Sequence, residues 1–138
     1  MNGPVVDCSI TVAWVLGDEE STATLAVLEL VQQQGAVAAA VWWAEVRNAL
    51  IRAERRGRMS LYGTEVALAA LDALAIRLDG LPDSVPVLAL TRAHRLSVYD
   101  AMYLELALRE RRPLATLDRQ LAVAARAAGA EVLGISVA

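Results

Sequence analysis

At 138 residues the chain suits one domain spanning residues 1–138, able to bury about two thirds of its unfolded surface, so neither disulfide nor metal is needed for stability alone. Hydrophobic residues make up 57% with no Phe, a composition that excludes a disordered tail and suits Ala-rich helices packed on a sheet. The charge is −3, from 16 acids against 13 arginines with no lysine. That excludes a Walker phosphate loop and a phosphoacceptor receiver domain, each of which needs a Lys, and argues against a general nucleic-acid coat protein.

Pro4-Val5-Val6-Asp7-Cys8 reads as a short buried strand, with Asp7 at its carboxyl end and a helix starting at Ser9 or Thr11. The apolar run after it does not read as a secretory signal, because Asp7 interrupts it, no Arg precedes it and an acidic stretch follows. No apolar run approaches the roughly 18 residues of a membrane helix. A soluble, cytoplasmic protein with no membrane contact is therefore expected. Cys8 stands alone, so it forms no internal bridge and reads as a small core residue.

A second helix is expected over residues 19–34, ending at Gly35, and a second strand over Ala36 to Val41. A third helix, from Trp42 to about Arg56, puts Glu45 in its first turn, where the helix dipole favours an anion. Ser60 caps a fourth helix with a leucine stripe, and Ala75 to Leu78 alternates like a third strand. A fifth helix starts near Pro82-Asp83-Ser84 and runs to His94.

Arg95 to Leu108 then forms a sixth, strongly apolar helix, with Ser97 as cap and Asp100 three residues on, a near match to a capping box. Pro113 to Thr116 is a further strand, Asp118 begins the last helix, and Glu131 to Ile135 closes the sheet. Alternation of this kind implies an α/β fold: a short, mostly parallel sheet layered between helices.

Asp7, Glu45, Asp100 and Asp118 would all reach the carboxyl edge of such a sheet, where open α/β sheets bind ligands. Each acid alone also fits a helix cap, so the set carries the argument. Asp7 is the hardest to treat as a cap, because a carboxylate inside Val-Val-Asp-Cys-Ser-Ile is costly unless bonded. Four converging carboxylates would repel, and a hard divalent cation such as Mg²⁺ or Mn²⁺ removes that cost. Zinc is disfavoured, since a single His and a single Cys supply no nitrogen–sulfur cage. Such a site polarises a phosphoryl oxygen and activates water, so phosphodiester hydrolysis follows. Ser9 and Thr116, each two residues from an acid, can steady the carboxylates, as can Asn48.

Val6-Asp7-Cys8-Ser9 (D-x-S), Glu45-Val46-Arg47-Asn48 (E-x-x-N), Leu96 to Leu104 around Asp100, and Thr116-Leu117-Asp118 (T-x-D) occur in an order and spacing that resembles the PIN-domain ribonucleases of the VapC toxin family across essentially the whole chain. The resemblance implies a three-layer α/β/α PIN-like domain with metal-dependent endoribonuclease activity on RNA. It also implies inhibition by a tightly bound VapB-like antitoxin and assembly as a homodimer. Asp7, Glu45, Asp100 and Asp118 would form the acidic metal site, with Ser9 or Thr116 assisting. The competing reading is a catalytically silent PIN-like module that acts only through a toxin–antitoxin complex. An aspartyl-nucleophile phosphatase is disfavoured, since Ser9 stands where that chemistry expects a second acid.

Among other features, the arginines at 52, 55, 56 and 58 read first as a solvated helix end and second as contacts to RNA phosphates, and Trp14, Trp42 and Trp43 read as packing residues before base-stacking ones. His94 reads as a helix-end residue. The leucine stripe of the fourth helix faces either the core or, with the second helix, a partner groove.

Overall fold

The computed structural model describes residues 2–17 and 21–136. In chain order the elements are β1 (Val5–Val6), α1 (Cys8–Leu16), α2 (Thr22–Gln34), β2 (Ala36–Ala38), α3 (Trp42–Arg55), α4 (Leu61–Asp72), β3 (Ile76–Leu78), α5 (Ser84–His94), α6 (Val98–Glu110), β4 (Leu114–Ala115), α7 (Arg119–Ala127) and β5 (Val132–Leu133). Positions 19 and 20 of the expected second helix lie outside the described residues.

The five strands form one sheet in the order β3-β2-β1-β4-β5, with every pairing parallel. Val5 faces Val37 on one side and Leu114 on the other, which makes β1 the central strand. Buried apolar residues along β1 and both of its neighbours suit a strand covered on both faces. Right-handed crossovers then place α1 to α4 on one face and α5 to α7 on the other, the three-layer α/β/α arrangement expected from the sequence. Packing of α1 against α2 and α3, and of α6 against α5 and α7, accords with that division. The core runs through Val5, Ile10, Val37, Val46, Leu50, Tyr103, Leu104, Leu114 and Leu121, all at most 1% exposed.

Local rules set most boundaries. Ser21, Ser60 and Ser97 cap α2, α4 and α6, each accepting a backbone N–H three residues on. Gly17 ends α1 at φ 73° and donates to the Ala13 carbonyl, a left-handed cap that a side chain would strain. Two expectations shift. Cys8 already belongs to α1, whose cap is Asp7 rather than Ser9 or Thr11, and β2 stops at Ala38 rather than Val41.

Beyond the core, an arginine network ties β3 to α6. Glu110 accepts from Arg77 at 2.7 Å and Arg112 at 2.9 Å, while Arg109 bridges Glu105 and Asp79. Arg112 also donates to the Gly3 carbonyl at 2.8 Å. Among the described residues no helix is long and apolar enough to cross a membrane.

Candidate active site

The strand order reverses direction between β1 and β4, since the chain runs outward through β2 and β3 before β4 returns to the other side of β1. Crevices at the carboxyl ends of strands form at such switch points. Asp7 follows β1 and Thr116 follows β4 at this point, and the ladder continues as the Asp7 N–H donates to the Ala115 carbonyl at 3.2 Å.

Asp7 is 4% exposed and fully bonded. Its Oδ1 accepts from the Ser9 hydroxyl at 2.7 Å and the Ile10 N–H at 3.1 Å, and its Oδ2 accepts from the Thr116 hydroxyl. Ser9 Oγ in turn accepts from the Leu117 N–H at 2.8 Å, and Thr116 Oγ1 from the Asp118 N–H at 2.9 Å. Ser9 and Thr116 thus stitch the ends of β1 and β4 together through one carboxylate. Burial nevertheless pushes the Asp7 carboxyl up to about 6, against the pull of Thr116, Ser9 and Ile10, and the charge of Asp100 adds to the rise.

Asp100 sits in the first turn of α6. Ser97 Oγ accepts the Asp100 N–H at 3.1 Å, and the Asp100 carboxylate takes no hydrogen bond in return among the described residues. The cap is therefore one-sided, and both carboxylate oxygens are left for other work. Burial raises the Asp100 carboxyl to about 6, helped by the charges of Asp118 and Glu45. Asp118 caps α7, with Oδ1 accepting from the Leu121 N–H at 3.0 Å and Oδ2 left over. Glu45, in the first turn of α3, has Oε1 held by the Tyr103 hydroxyl at 2.6 Å.

Tyr103 is a site residue that sequence reasoning misses. It lies one turn after Asp100, is 1% exposed, and spans from α6 to α3 to fix Glu45. Burial and the bond to Glu45 both hold its phenol above the usual range, so it stays a donor. A second hidden link runs from Trp42 Nε1 to Thr11 Oγ1 at 3.0 Å, and from Thr11 to the Asp7 carbonyl at 2.7 Å. Asn48 is exposed and bonds none of the acids among the described residues, unlike the role expected for it. His94, at the end of α5, lines a separate surface hollow with α7.

The three tryptophans divide. Trp42 is buried, Trp14 donates to the Thr24 carbonyl at 2.9 Å, and Trp43 is 54% exposed with the Arg47 guanidinium 4.2 Å above its ring.

Charge links the acids through Asp100, which raises Asp7 and is itself raised by Asp118 and Glu45. Among the described residues no arginine pairs with any of them, and the arginine bridges lie instead on the β3–α6 network. As they lie, however, no three His, Cys, Asp or Glu side chains among the described residues stand close enough to grip one ion. The expected four-ligand cluster is thus not preformed. The donor chemistry still fits a hard cation: every group is an oxygen, and Mg²⁺ commonly takes only one or two carboxylates and keeps its waters.

The family model for the PIN domain matches residues 5–127. The chain belongs to the PIN domain family. Among solved structures, PAE2754 from Pyrobaculum aerophilum is similar over 95% of this chain and 89% of its own, with a TM-score of 0.74 at 20% identity. A toxin–antitoxin complex from Klebsiella pneumoniae is similar over 83% and 86%, with a TM-score of 0.56 at 18% identity. At such identities these likenesses bear on the fold. A sequence comparison with curated proteins finds no significant match.

Proposed function

We propose that the chain is a single-domain, metal-dependent endoribonuclease toxin of the VapC type. The observation that carries the reading is the charge coupling of Asp7, Asp100, Asp118 and Glu45 at the β1–β4 switch point, with no arginine bridging them among the described residues. A bound Mg²⁺ or Mn²⁺ supplies Lewis acidity toward a phosphoryl oxygen and lowers the pKa of an attacking water. Asp100 and Asp7 would hold the ion, with Glu45 and Asp118 contributing directly or through water.

The chain's own residues do the positioning. Ser9 and Thr116 lock the Asp7 rotamer, the Tyr103 hydroxyl holds one Glu45 oxygen and leaves the other, and the α7 cap does the same for Asp118. Asp100, unbonded, is the carboxylate with most freedom to turn toward an ion. Ionised Asp7 and Asp100 are needed for this, so activity rises as both lose their protons.

A VapB-like antitoxin and a second copy of the chain are proposed as partners. The similar Klebsiella chain was solved in a toxin–antitoxin complex, which supports the first. Apolar side chains for both exist: Leu61, Tyr62 and Val66 on α4, and Leu81, Val85 and Val98 around α5 and α6, are each at least 46% exposed.

The test is cleavage of single-stranded RNA in Mn²⁺ by wild type, Asp7→Ala and Asp100→Ala. Wild type alone should cleave, with losses beyond the about 10–100-fold that removal of an outer partner costs. Equal traces in all three proteins overturn the enzyme and favour the silent module.

A further inference from the structure

Next to the acids, α1 and α3 part to leave a cleft of about 340 Å³, within the range of about 300–1,000 Å³ usual for small-molecule sites. Its floor is apolar, built from Val12, Ala13, Leu16 and Ala49, and two exposed guanidinium groups, Arg52 and Arg58, line it as well. Ser9 also lines it, and Ser9 is the residue whose hydroxyl holds Asp7. The cleft and the acidic site are therefore contiguous.

An acidic centre repels the polyanion it is meant to cut. A neighbouring cation offsets that repulsion where the next phosphate must sit, and an apolar floor gives an unstacked base somewhere to lie. Arg52 suits the first of these roles, because it lines the same cleft as Ser9, whose hydroxyl holds Asp7. It makes no ion pair among the described residues.

We propose that this cleft is the subsite for the nucleotide adjoining the scissile phosphate, with the base on Val12, Leu16 and Ala49 and the phosphate on Arg52. The assignment rests on the ribonuclease reading above. A protein segment is the rival occupant, and continuity through Ser9 together with the cationic wall favours the nucleotide.

The test uses Arg52→Gln and Ala49→Met, neither of which touches the acids, with a randomised single-stranded RNA 20-mer as probe. With Mn²⁺, Arg52→Gln should raise KM about tenfold at near-constant kcat. It should also flatten the dependence of log KM on log salt by about 0.7, one phosphate contact on a single strand. Ala49→Met should raise KM and change the base preference at one position beside the cut, read by sequencing the products. Wild-type KM and wild-type site preference in both variants overturn the subsite. Anisotropy with the fluorescent 20-mer on Asp100→Asn protein, with and without Arg52→Gln, decides the cleft even if wild type cleaves nothing. In that case the ribonuclease reading falls, while severalfold weaker binding with Arg52→Gln upholds the cleft as an RNA site and unchanged binding overturns it. Antitoxin-like binding lost in Ala49→Met with RNA handling unchanged assigns the cleft to a protein and also overturns the proposal.

Discussion

Replacing Asp7 by Asn should stabilise the metal-free protein, and by an amount that depends on pH. Folding raises this carboxyl from 3.8 to about 6. Between those values the folded chain keeps a proton that the unfolded chain has lost, so the contribution is full below pH 3.8 and disappears as pH rises through 6. Two pKa units at about 1.4 kcal/mol each amount to about 3 kcal/mol. Asn carries no such cost. Its oxygen can still accept from Ser9 and the Ile10 N–H, and its amide can donate to Thr116, whose hydroxyl can turn to Ser9 Oγ, 3.3 Å away.

In EDTA, the Asn variant should match wild type near pH 4 and exceed it by about 3 kcal/mol at pH 7.5, a Tm difference on the order of 10 °C for a chain of this size. Mn²⁺ at about 100 times its Kd should return about 2.7 kcal/mol to wild type alone. Scanning calorimetry from pH 4 to 8, with and without the ion, measures both effects. Parallel pH profiles for the two proteins in EDTA would show that the fold does not carry a buried, ionisable Asp7, and the acidic-site reading would fail with it.

Tyr103→Phe keeps the ring in the core but frees Glu45 Oε1, so Mn²⁺ affinity by titration calorimetry should fall about 10–100-fold with Tm little changed; unchanged affinity would remove Tyr103 as a positioning residue. At fixed, sub-saturating Mn²⁺ the RNA cleavage rate should climb between pH 5 and 7 as Asp7 and Asp100, both near 6, lose protons; a flat profile would contradict their role. Gly134→Ala should cost about 1–3 kcal/mol in urea denaturation, because Gly134 sits at φ 96° and its added Cβ would lie 2.8 Å from the Thr116 carbonyl oxygen. Glu110→Gln should cost about 1 kcal/mol, less in high salt, since its partners Arg77 and Arg112 stay partly solvated.

The elements most legible in the sequence are those with local signals. Serine caps at 60 and 97, Gly35 after α2, and the Val5–Val6 pair each declare themselves within a few residues. Strands of two or three residues do not, because so short a run carries no period, which is why β1 and β2 read longer in sequence than they are. Asp7 is legible as a buried acid, but its second role as the cap of α1 is not, since Ser9 and Thr11 are equally good caps on paper. The four acids can be gathered from their edge positions, whereas Tyr103 cannot. In Ala101-Met102-Tyr103-Leu104 a tyrosine looks like any core residue, and only the hydrogen bond from α6 to Glu45 on α3 reveals where its hydroxyl ends. The reach of the Ser9 and Thr116 hydroxyls follows from their spacing, while the sharing of one carboxylate between them depends on the β1–β4 pairing.

That pairing has a bearing on when the site can exist. Thr116 follows Asp7 by 109 positions, with three strands and six helices made in between. Until β4 arrives, β1 has one open edge, Asp7 lacks a donor, and Asp118 has not been synthesised. Contacts this distant in sequence form late and slowly. A site built on them cannot close on a nascent chain from which β4 has yet to emerge.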